Sequence, residues 1–178
     1  FVVGCIYCPN RDEVATISFV NEALAEFDCS AILLGGDFNC VFSESADRSQ
    51  VVTPAGQQAE TSAGGSRGHS APRRREALRD MVHEYSLVDV WRETNPDQRE
   101  FTFSRRGQRS SRLDMFLVSD TLLAGANVTC KILPPFLSDH RAVSLKTEIT
   151  LARRGPGYWK FNNQLLSNEQ FVNDTKQF

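Results

Sequence analysis

The chain has 178 residues, of which 40% are apolar or aromatic and 24% are charged, and its net charge at pH 7 is −2. This size and composition are typical of one globular domain with its own hydrophobic core. No apolar stretch approaches the roughly 20 residues of a membrane-spanning helix, and the first residues lack the pattern of a secretory signal, so we expect an intracellular protein without a membrane partner.

The first third of the chain predicts a strand, a helix and a second strand. Residues 1–7 are apolar and β-branched and are followed by Pro9-Asn10, a pattern typical of a buried strand. A helix is predicted from about residue 12, because apolar residues recur at helical spacing, namely Ile17, Val20, Leu24 and Phe27. Residues 31–34 predict a short buried strand, and the pair Gly35-Gly36 predicts a sharp turn behind it.

The middle of the chain predicts a loop followed by a helix. Residues 43–72 are rich in Ser, Ala, Gly, Gln and Thr, which favours a long surface loop. A helix is predicted for residues 72–85, with Pro72 at its start and one apolar face formed by Leu78, Met81, Val82 and Tyr85. Residues 87–92 are expected to pack Leu87, Val90 and Trp91 beneath a sheet.

The last third predicts two pairs of strands. Residues 101–104 and 112–118 read as a hairpin that turns at Gly107, and residues 128–133 and 142–149 flank a loop containing two prolines. This order of elements predicts an α/β (α+β) fold with two mainly antiparallel sheets and outer helices. The composition changes after residue 150, so we expect a domain over residues 1–150 and a linker with the start of a helical segment over residues 151–178.

Acidic residues and one histidine stand where strands are predicted to end or begin. Asp37 and Asn39 follow a buried strand, Asp114 opens another, and Asp139 and His140 precede a third. A single aspartate in such a position is more often a turn residue than a catalyst. As a set, however, they form an oxygen-rich group that suits Mg²⁺, with Mn²⁺ as a possible substitute, and that metal in turn suits phosphate ester chemistry.

The local contexts of these residues resemble the endonuclease/exonuclease/phosphatase superfamily, the exonuclease III-like fold, and most closely the endonuclease domain of LINE-type non-LTR retrotransposons. The matching motifs recur in family order: Gly4-Cys5-Ile6-Tyr7-Cys8-Pro9-Asn10, Gly36-Asp37-Phe38-Asn39, Phe101-Thr102-Phe103-Ser104, Ser111-Arg112-Leu113-Asp114 and Ser138-Asp139-His140. Each motif is short and weak alone, whereas their shared order is specific. The resemblance implies a partial four-layered α/β sandwich.

The resemblance also implies roles for these residues in phosphodiester hydrolysis. Asp37 matches the aspartate that positions and activates the water and contacts the metal, and Asp139 matches a metal-site carboxylate. Asn39 matches the neutral donor to the phosphate or the nucleophile. His140 matches the histidine that contacts a phosphate oxygen, and Asp114 matches its carboxylate partner.

Further residues match supporting positions of the same family. Tyr7 matches a tyrosine near the scissile phosphate and Asn10 a supporting polar residue, while Thr102 and Ser138 are expected to be hydrogen-bond donors behind the catalytic groups. For Tyr7 and Thr102 the alternative, that they are ordinary strand residues, stays open.

Arginines are concentrated where the resemblance places a DNA-contacting hairpin. Arginine outnumbers lysine in the chain, which favours bidentate phosphate contacts. We expect DNA contacts from the predicted hairpin and its base, namely from Arg105, Arg106, Arg109 and Arg112. Ordinary surface charge is the alternative, because the net charge is small.

The spacing Cys5-Ile6-Tyr7-Cys8 does not indicate a zinc site. Residues three apart in a strand point to opposite faces and cannot converge on one ion. Reduced cysteines in an intracellular protein are the better interpretation.

The resemblance finally implies that the chain is the C-terminal two-thirds of its domain. In that family, earlier strands carry an asparagine and a metal-binding glutamate, so the fragment alone is expected to be a weak or inactive nuclease. The stretch Tyr158-Trp159-Lys160-Phe161-Asn162 is similar to the link to reverse transcriptase in LINE proteins, which implies a DNA substrate, a following reverse transcriptase domain and a nuclear location. Another phosphoesterase of the superfamily (abasic-site nuclease, exonuclease, deadenylase or phosphoinositide phosphatase) and a non-catalytic nucleic-acid-binding remnant are the alternatives.

Overall fold

The structure, a computed structural model, describes residues 1–10, 14–49, 70–105, 109–149, 167 and 169–176. Within these residues the elements are, in chain order, β1 (Val2–Tyr7), α1 (Ala15–Ala25), β2 (Ile32–Asp37), α2 (Glu44–Asp47), α3 (Ser70–Glu84), β3 (Leu87–Asp89), α4 (Val90–Thr94), β4 (Asp114–Ser119), α5 (Asp120–Ala124), β5 (Ala126–Ile132), β6 (Val143–Ile149) and α6 (Glu169–Thr175). None of the helices in this part of the chain is long and apolar enough to cross a membrane.

The strands form two sheets. One has the order β1-β2-β4-β3, and the other consists of β5 and β6. The pair β1–β2 is parallel, whereas β2–β4, β3–β4 and β5–β6 are antiparallel. The predicted mixed fold, with two mainly antiparallel sheets and helices, is therefore confirmed.

The four-stranded sheet is covered differently on its two faces. On one face α1 and α3 contribute buried residues to a core that includes Ile32 and Leu34 of β2. On the opposite face a second core joins Val118 of β4 to Trp91 and to Cys130 of the second sheet. Because alternate residues of a strand face opposite sides, each central strand contributes to both cores.

Three local predictions are wrong, each for a physical reason. Helix α1 ends at Ala25, so Phe27 lies beyond the helical stripe and is 54% exposed. Residues 101–104 do not form the predicted strand. Phe103 makes two isolated bridges, an antiparallel one to Ser111 as in the predicted hairpin and one to His140, and the predicted turn at Gly107 lies outside the described residues.

The third concerns the two glycines, which do not make a turn. Strand β2 continues through both to Asp37. Gly35 leaves room for the ring of Phe116, which would lie 2.3 Å from an added Cβ, and Gly36 has φ +147° with the carbonyl oxygen of Ile6 1.9 Å from such an atom. The glycines are thus required by close packing within the sheet.

Candidate active site

The sheet register places the first residues of the site. Tyr7 of β1 pairs with Asp37 of β2, and Asp37 pairs with Asp114 of β4. Residues opposite each other on neighbouring strands point to the same face of the sheet. The ends of three strands therefore present Tyr7, Asp37 and Asp114 in one row.

A tight turn after β2 holds Asn39 against Asp37. The Asn39 backbone N–H donates to Asp37 Oδ1 at 2.9 Å, and Asn39 Nδ2 donates to Asp37 Oδ2 at 3.2 Å and to the Cys8 carbonyl at 2.6 Å. Asn39 has φ +45°, a left-handed conformation that asparagine tolerates better than most residues. The amide is thus fixed beside the carboxylate by its own turn.

The second half of the site is an aspartate–histidine pair. His140 Nδ1 lies 2.9 Å from Asp114 Oδ2, and the imidazole packs against the ring of Phe103 at a centroid distance of 5.0 Å and an angle of 55°. The side chains of His140 and Asp114 are 34% and 20% exposed, so the pair is open to the surface. The carboxylate and the aromatic ring together fix the orientation of the imidazole.

Thr102 and Ser138 support this pair by accepting hydrogen bonds from backbone N–H groups, and their predicted roles as donors stay predictions. The buried hydroxyl of Thr102 accepts from the backbone N–H groups of Leu113 and Asp114 at 2.9 and 3.0 Å. The hydroxyl of Ser138 accepts from the His140 N–H at 3.0 Å. Each hydroxyl therefore fixes the backbone from which a catalytic candidate projects.

Ligand atoms of Asp37, Asp114 and His140 all lie within 4.8 Å of one another. Burial raises the pKa of Asp37 and the charge of Asp114 raises it further, while the Asn39 N–H, His140 and Arg74 oppose this rise, and the net pKa is above its ordinary value. The carboxylate cluster thus carries negative charge that its neighbours balance incompletely. Two carboxylates on one open rim fit a hard cation that keeps several waters, as Mg²⁺ does.

The remaining predicted site residues are exposed and are not among the three whose ligand atoms converge. Asp139 lines a neighbouring depression with Arg99, Ser104 and Arg141, and its backbone oxygen accepts from the Ser104 N–H at 2.8 Å. Tyr7 shares the row of Asp37 but is 65% exposed, and Asn10 is exposed. Their roles, including metal binding by Asp139, stay predictions.

The four predicted DNA-binding arginines do not form one group. Arg105 and Arg109 are exposed, and Arg106 lies outside the described residues. The prediction for Arg112 is wrong, because its side chain is 1% exposed and bonded to Asp47 at 2.9 Å and to Asp89 at 2.7 Å. A guanidinium enclosed by two carboxylates has no face left for a phosphate.

Phe103 and Arg74 lie near the site but are not among the predicted site residues. Phe103 belongs to one of the family motifs, yet its packing against His140 could not be read from spacing alone. Arg74 lies on the apolar stripe of α3, four residues before Leu78 and seven before Met81. An arginine on a buried stripe indicates a side chain that makes hydrogen bonds or ion pairs inside the fold.

Comparisons with known proteins agree with this geometry. A family described as Endonuclease-reverse transcriptase matches residues 1–144. The chain is 33% identical over 153 residues to the transposon TX1 uncharacterized 149 kDa protein of Xenopus laevis, covering 82% of this chain and 10% of that protein.

Solved structures share the fold. An AP endonuclease from Archaeoglobus fulgidus is similar with a TM-score of 0.57 and 16% identity, over 83% of this chain and 60% of that one. The endonuclease domain of TRAS1, a telomere-specific non-LTR retrotransposon, is similar with a TM-score of 0.54 and 14% identity, over 80% of this chain and 54% of that one. The chain therefore spans little more than half of these structures and 10% of the transposon protein.

Proposed function

The chain belongs to the endonuclease-reverse transcriptase family, within the endonuclease/exonuclease/phosphatase superfamily, and we propose that it acts as a divalent-metal-dependent DNA endonuclease of a retrotransposon polyprotein. In this role it nicks target DNA in the nucleus, and a reverse transcriptase domain follows in the same polypeptide. The transposon relative supports this substrate and setting over the other phosphoesterases that share the fold.

The observation that carries the proposal is the convergence of Asp37, Asp114 and His140, with Asn39 held beside Asp37. Hydrolysis of a phosphodiester needs an activated water and neutralisation of charge on the phosphoryl oxygens. When bound, Mg²⁺ or Mn²⁺ would be held by Asp37 with Asp114 near it and would supply that neutralisation, while Asp139, the other predicted ligand, lies outside this cluster.

Asp37 is the proposed base that orients and deprotonates the water. In the metal-free chain the pKa of Asp37 is raised by burial and by the charge of Asp114, and a carboxylate of higher pKa is a stronger base. The two hydrogen bonds from Asn39 fix the plane of the carboxylate, so its free lone pairs point in set directions. Asp37 therefore enters the reaction already oriented.

His140 and Asn39 are the proposed contacts to the phosphate. Asp114 occupies His140 Nδ1, and Nε2 can donate to a phosphate oxygen when the imidazole carries both protons. The Asn39 amide would be a second, uncharged donor once one of its two N–H groups leaves Asp37 Oδ2, because the other is held by the Cys8 carbonyl. Hydrogen-bond donors that are already in place need not reorganise when negative charge develops on the phosphate. This preorganisation is the main source of electrostatic stabilisation of a transition state.

The proposal is tested by nicking of supercoiled plasmid in the presence of Mg²⁺. His140→Ala should lower the rate by about 10²-fold or more, while the matched control His83→Ala, a histidine exposed on α3, should not change it. Removal of the metal with EDTA should abolish nicking, and Mn²⁺ should restore it.

The assay is repeated with other phosphate esters as substrates. Failure on plasmid, with cleavage of an abasic-site oligonucleotide, would identify a different phosphoesterase of the same fold. Failure on every phosphate ester would support the non-catalytic alternative.

A further inference from the structure

Arg74 is a buried arginine that donates hydrogen bonds to three carbonyls at the rim of the site. Arg74 is 5% exposed and lies on the core-facing stripe of α3. Its Nη1 donates to the Asn39 carbonyl at 3.2 Å, and its Nη2 donates to the carbonyls of Pro9 at 3.0 Å and Asn10 at 3.5 Å. A guanidinium is costly to bury, so its hydrogen bonds have to replace those it would make to water.

These carbonyls belong to the two turns that leave neighbouring strands at the site. Pro9 and Asn10 follow β1, which ends at Tyr7, and Asn39 follows β2, which ends at Asp37. The two turns already meet through the Asn39 side chain, which donates to the Cys8 carbonyl. Arg74 closes the same junction from the helix side and bonds to both turns at once.

Two further arginines of α3 contact the segment after Asn39, but neither contacts the turn after β1 in the hydrogen bonds described below. Arg75 Nε donates to the Val41 carbonyl at 2.9 Å and also pairs with Glu44, and Arg79 Nη2 donates to the Phe42 carbonyl at 2.7 Å. Both contacts lie on the segment that leads away from the site. Arg79 therefore provides a matched control for Arg74, with the same helix, residue type and kind of acceptor.

We propose that Arg74 is a positioning residue for the nuclease site, which holds Asn39 in its left-handed turn beside Asp37 by tying the turn after β1 to the turn after β2. Asn39 has φ +45°, and a conformation of this kind persists only where its surroundings fix it. The carbonyl of Asn39 is fixed by Arg74, while its N–H and side chain are fixed by Asp37 and Cys8. The effect of Arg74 on nicking rests on the proposed function, whereas its effect on the conformation of Asn39 does not.

The planar fork of arginine is essential to this role. Nη1 serves one turn and Nη2 serves the other, a span that the single ammonium of lysine does not reproduce. Arg74→Lys should therefore keep the charge and lose the bridge. Comparing lysine with glutamine at this position separates the effect of charge from the effect of the two-sided contact.

The first test measures exchange of the Asn39 backbone N–H with solvent, by NMR on the metal-free chain. Loss of a charged hydrogen-bond donor should raise that exchange rate about tenfold or more in Arg74→Gln, with a smaller rise in Arg74→Lys. Arg79→Gln should leave it within about twofold, and amides of β2 such as Leu34 should keep their protection in all variants. Equal exchange at Asn39 in the Arg74 and Arg79 variants would overturn the proposal.

A purely structural role is distinguished by a second pattern. If Arg74→Gln raises exchange in β2 and β4 as much as at Asn39, or unfolds the chain, Arg74→Lys is measured in its place. General loss of protection in that variant too would assign Arg74 to overall stability and overturn the positioning role.

The catalytic consequence is measured in the plasmid nicking assay. Arg74→Gln should lower kcat by about 10²-fold, because a small misplacement of a catalytic group has an effect of that size, and it should leave KM for DNA nearly unchanged. A rise in KM with constant kcat would contradict positioning of Asn39. Absence of nicking by the unsubstituted protein would refute the proposed function, while the exchange experiment would still decide the role of Arg74.

Discussion

Two clusters of charged side chains flank the start of β4, and they differ in how their charges are balanced. In the cluster of Asp47, Asp89 and Arg112, a 1% exposed guanidinium contacts both carboxylates, and Arg92 donates to Asp47 at 2.7 Å. In the cluster of Asp37, Asp114 and His140, two carboxylates share the site with one imidazole. Arg112 and Asp114 are separated by a single residue.

The pKa values of the two aspartates reflect this difference. Burial disfavours ionisation of both Asp47 and Asp37, but the charge and hydrogen bond of Arg112 outweigh it at Asp47 and lower that pKa. At Asp37 burial and the negative charge of Asp114 both raise the pKa, and they outweigh the lowering by the Asn39 N–H, His140 and Arg74. A balanced buried cluster is typical of a structural role, whereas an unbalanced one in a cleft indicates a functional site.

The strongest test of this comparison removes the central cation of the balanced cluster. Arg112→Ala should lower the free energy of unfolding by about 3–5 kcal/mol, because Asp47 and Asp89 are then buried without their partner. The ring of Trp91, 5.3 Å from the guanidinium carbon, also loses one of its two cation–π contacts and keeps the one to Arg92 at 5.0 Å. Urea unfolding at pH 7 measures the loss.

Arg92→Ala is the matched control within the same cluster. Arg92 also contacts Asp47 and donates through Nη1 to the carbonyls of Asn95, Pro96 and Gln98, but its side chain is 23% exposed, so solvent can compensate part of the loss. We expect a loss of about 1 kcal/mol. Equal losses for Arg92 and Arg112 would mean that burial does not distinguish the two contacts.

The second test alters the unbalanced cluster. Asp114→Asn should lower nicking on the order of 10²-fold, because the imidazole loses the carboxylate that orients it, while stability changes little. Asp120→Asn, an exposed aspartate at the start of α5, is the control. If Asp114→Asn changed stability more than activity, the site cluster would be structural after all.

The third test concerns arginines that neither cluster contains. Arg105 and Arg109 are exposed, and replacing both with alanine should weaken DNA binding and reduce the salt slope of log K by about 0.9 for each phosphate that is no longer neutralised. Stability should not change, in contrast to Arg112→Ala. An unchanged salt slope in a fluorescence titration would assign these arginines to ordinary surface charge.

The sequence predicted the fold better than it predicted the roles of individual arginines. Strands and helices follow from the periodicity of apolar residues, and the order of motifs placed Asp37, Asn39, Asp114 and His140 at strand ends that the structure brings together. The periodicity of apolar residues does not predict which carboxylate an arginine pairs with. The sequence predicts a DNA contact for Arg112, as for Arg105, because its partners Asp47 and Asp89 are 65 and 23 residues away along the chain.

The same limit explains the result for the glycines and for Asp139. The pair Gly35-Gly36 suits a turn and also suits a strand crossed closely by neighbours, and only the tertiary position of Phe116 and Ile6 decides between them. Asp139 lies next to His140 in sequence, but residues 137–139 form a bend and not a strand, so strand periodicity does not predict where its carboxylate lies. That carboxylate is not among the ligand atoms of Asp37, Asp114 and His140 that lie within 4.8 Å of one another.

The smallest expected effect compares the two aspartates by the sign of their pH dependence. The folded-state pKa of Asp47 is lowered, so its stabilisation is present above the ordinary aspartate pKa of 3.8 and is lost as the pH falls through the folded-state value. The folded-state pKa of Asp37 is raised, so ionisation of Asp37 destabilises the fold as the pH rises from 3.8 through the raised value.

Replacing each aspartate with asparagine should therefore change stability in opposite directions at pH 7. Asp47→Asn should destabilise the fold and do so less as the pH falls below 3.8. Asp37→Asn should stabilise it slightly above the raised pKa of Asp37, by less than about 1 kcal/mol, a size common for substitutions of functional groups, and this gain should vanish at low pH. Urea unfolding with EDTA, from pH 3 to pH 7, measures both. Parallel pH dependences in the two variants would mean that the same balance of burial and charge acts at both aspartates, which would remove the distinction between the clusters.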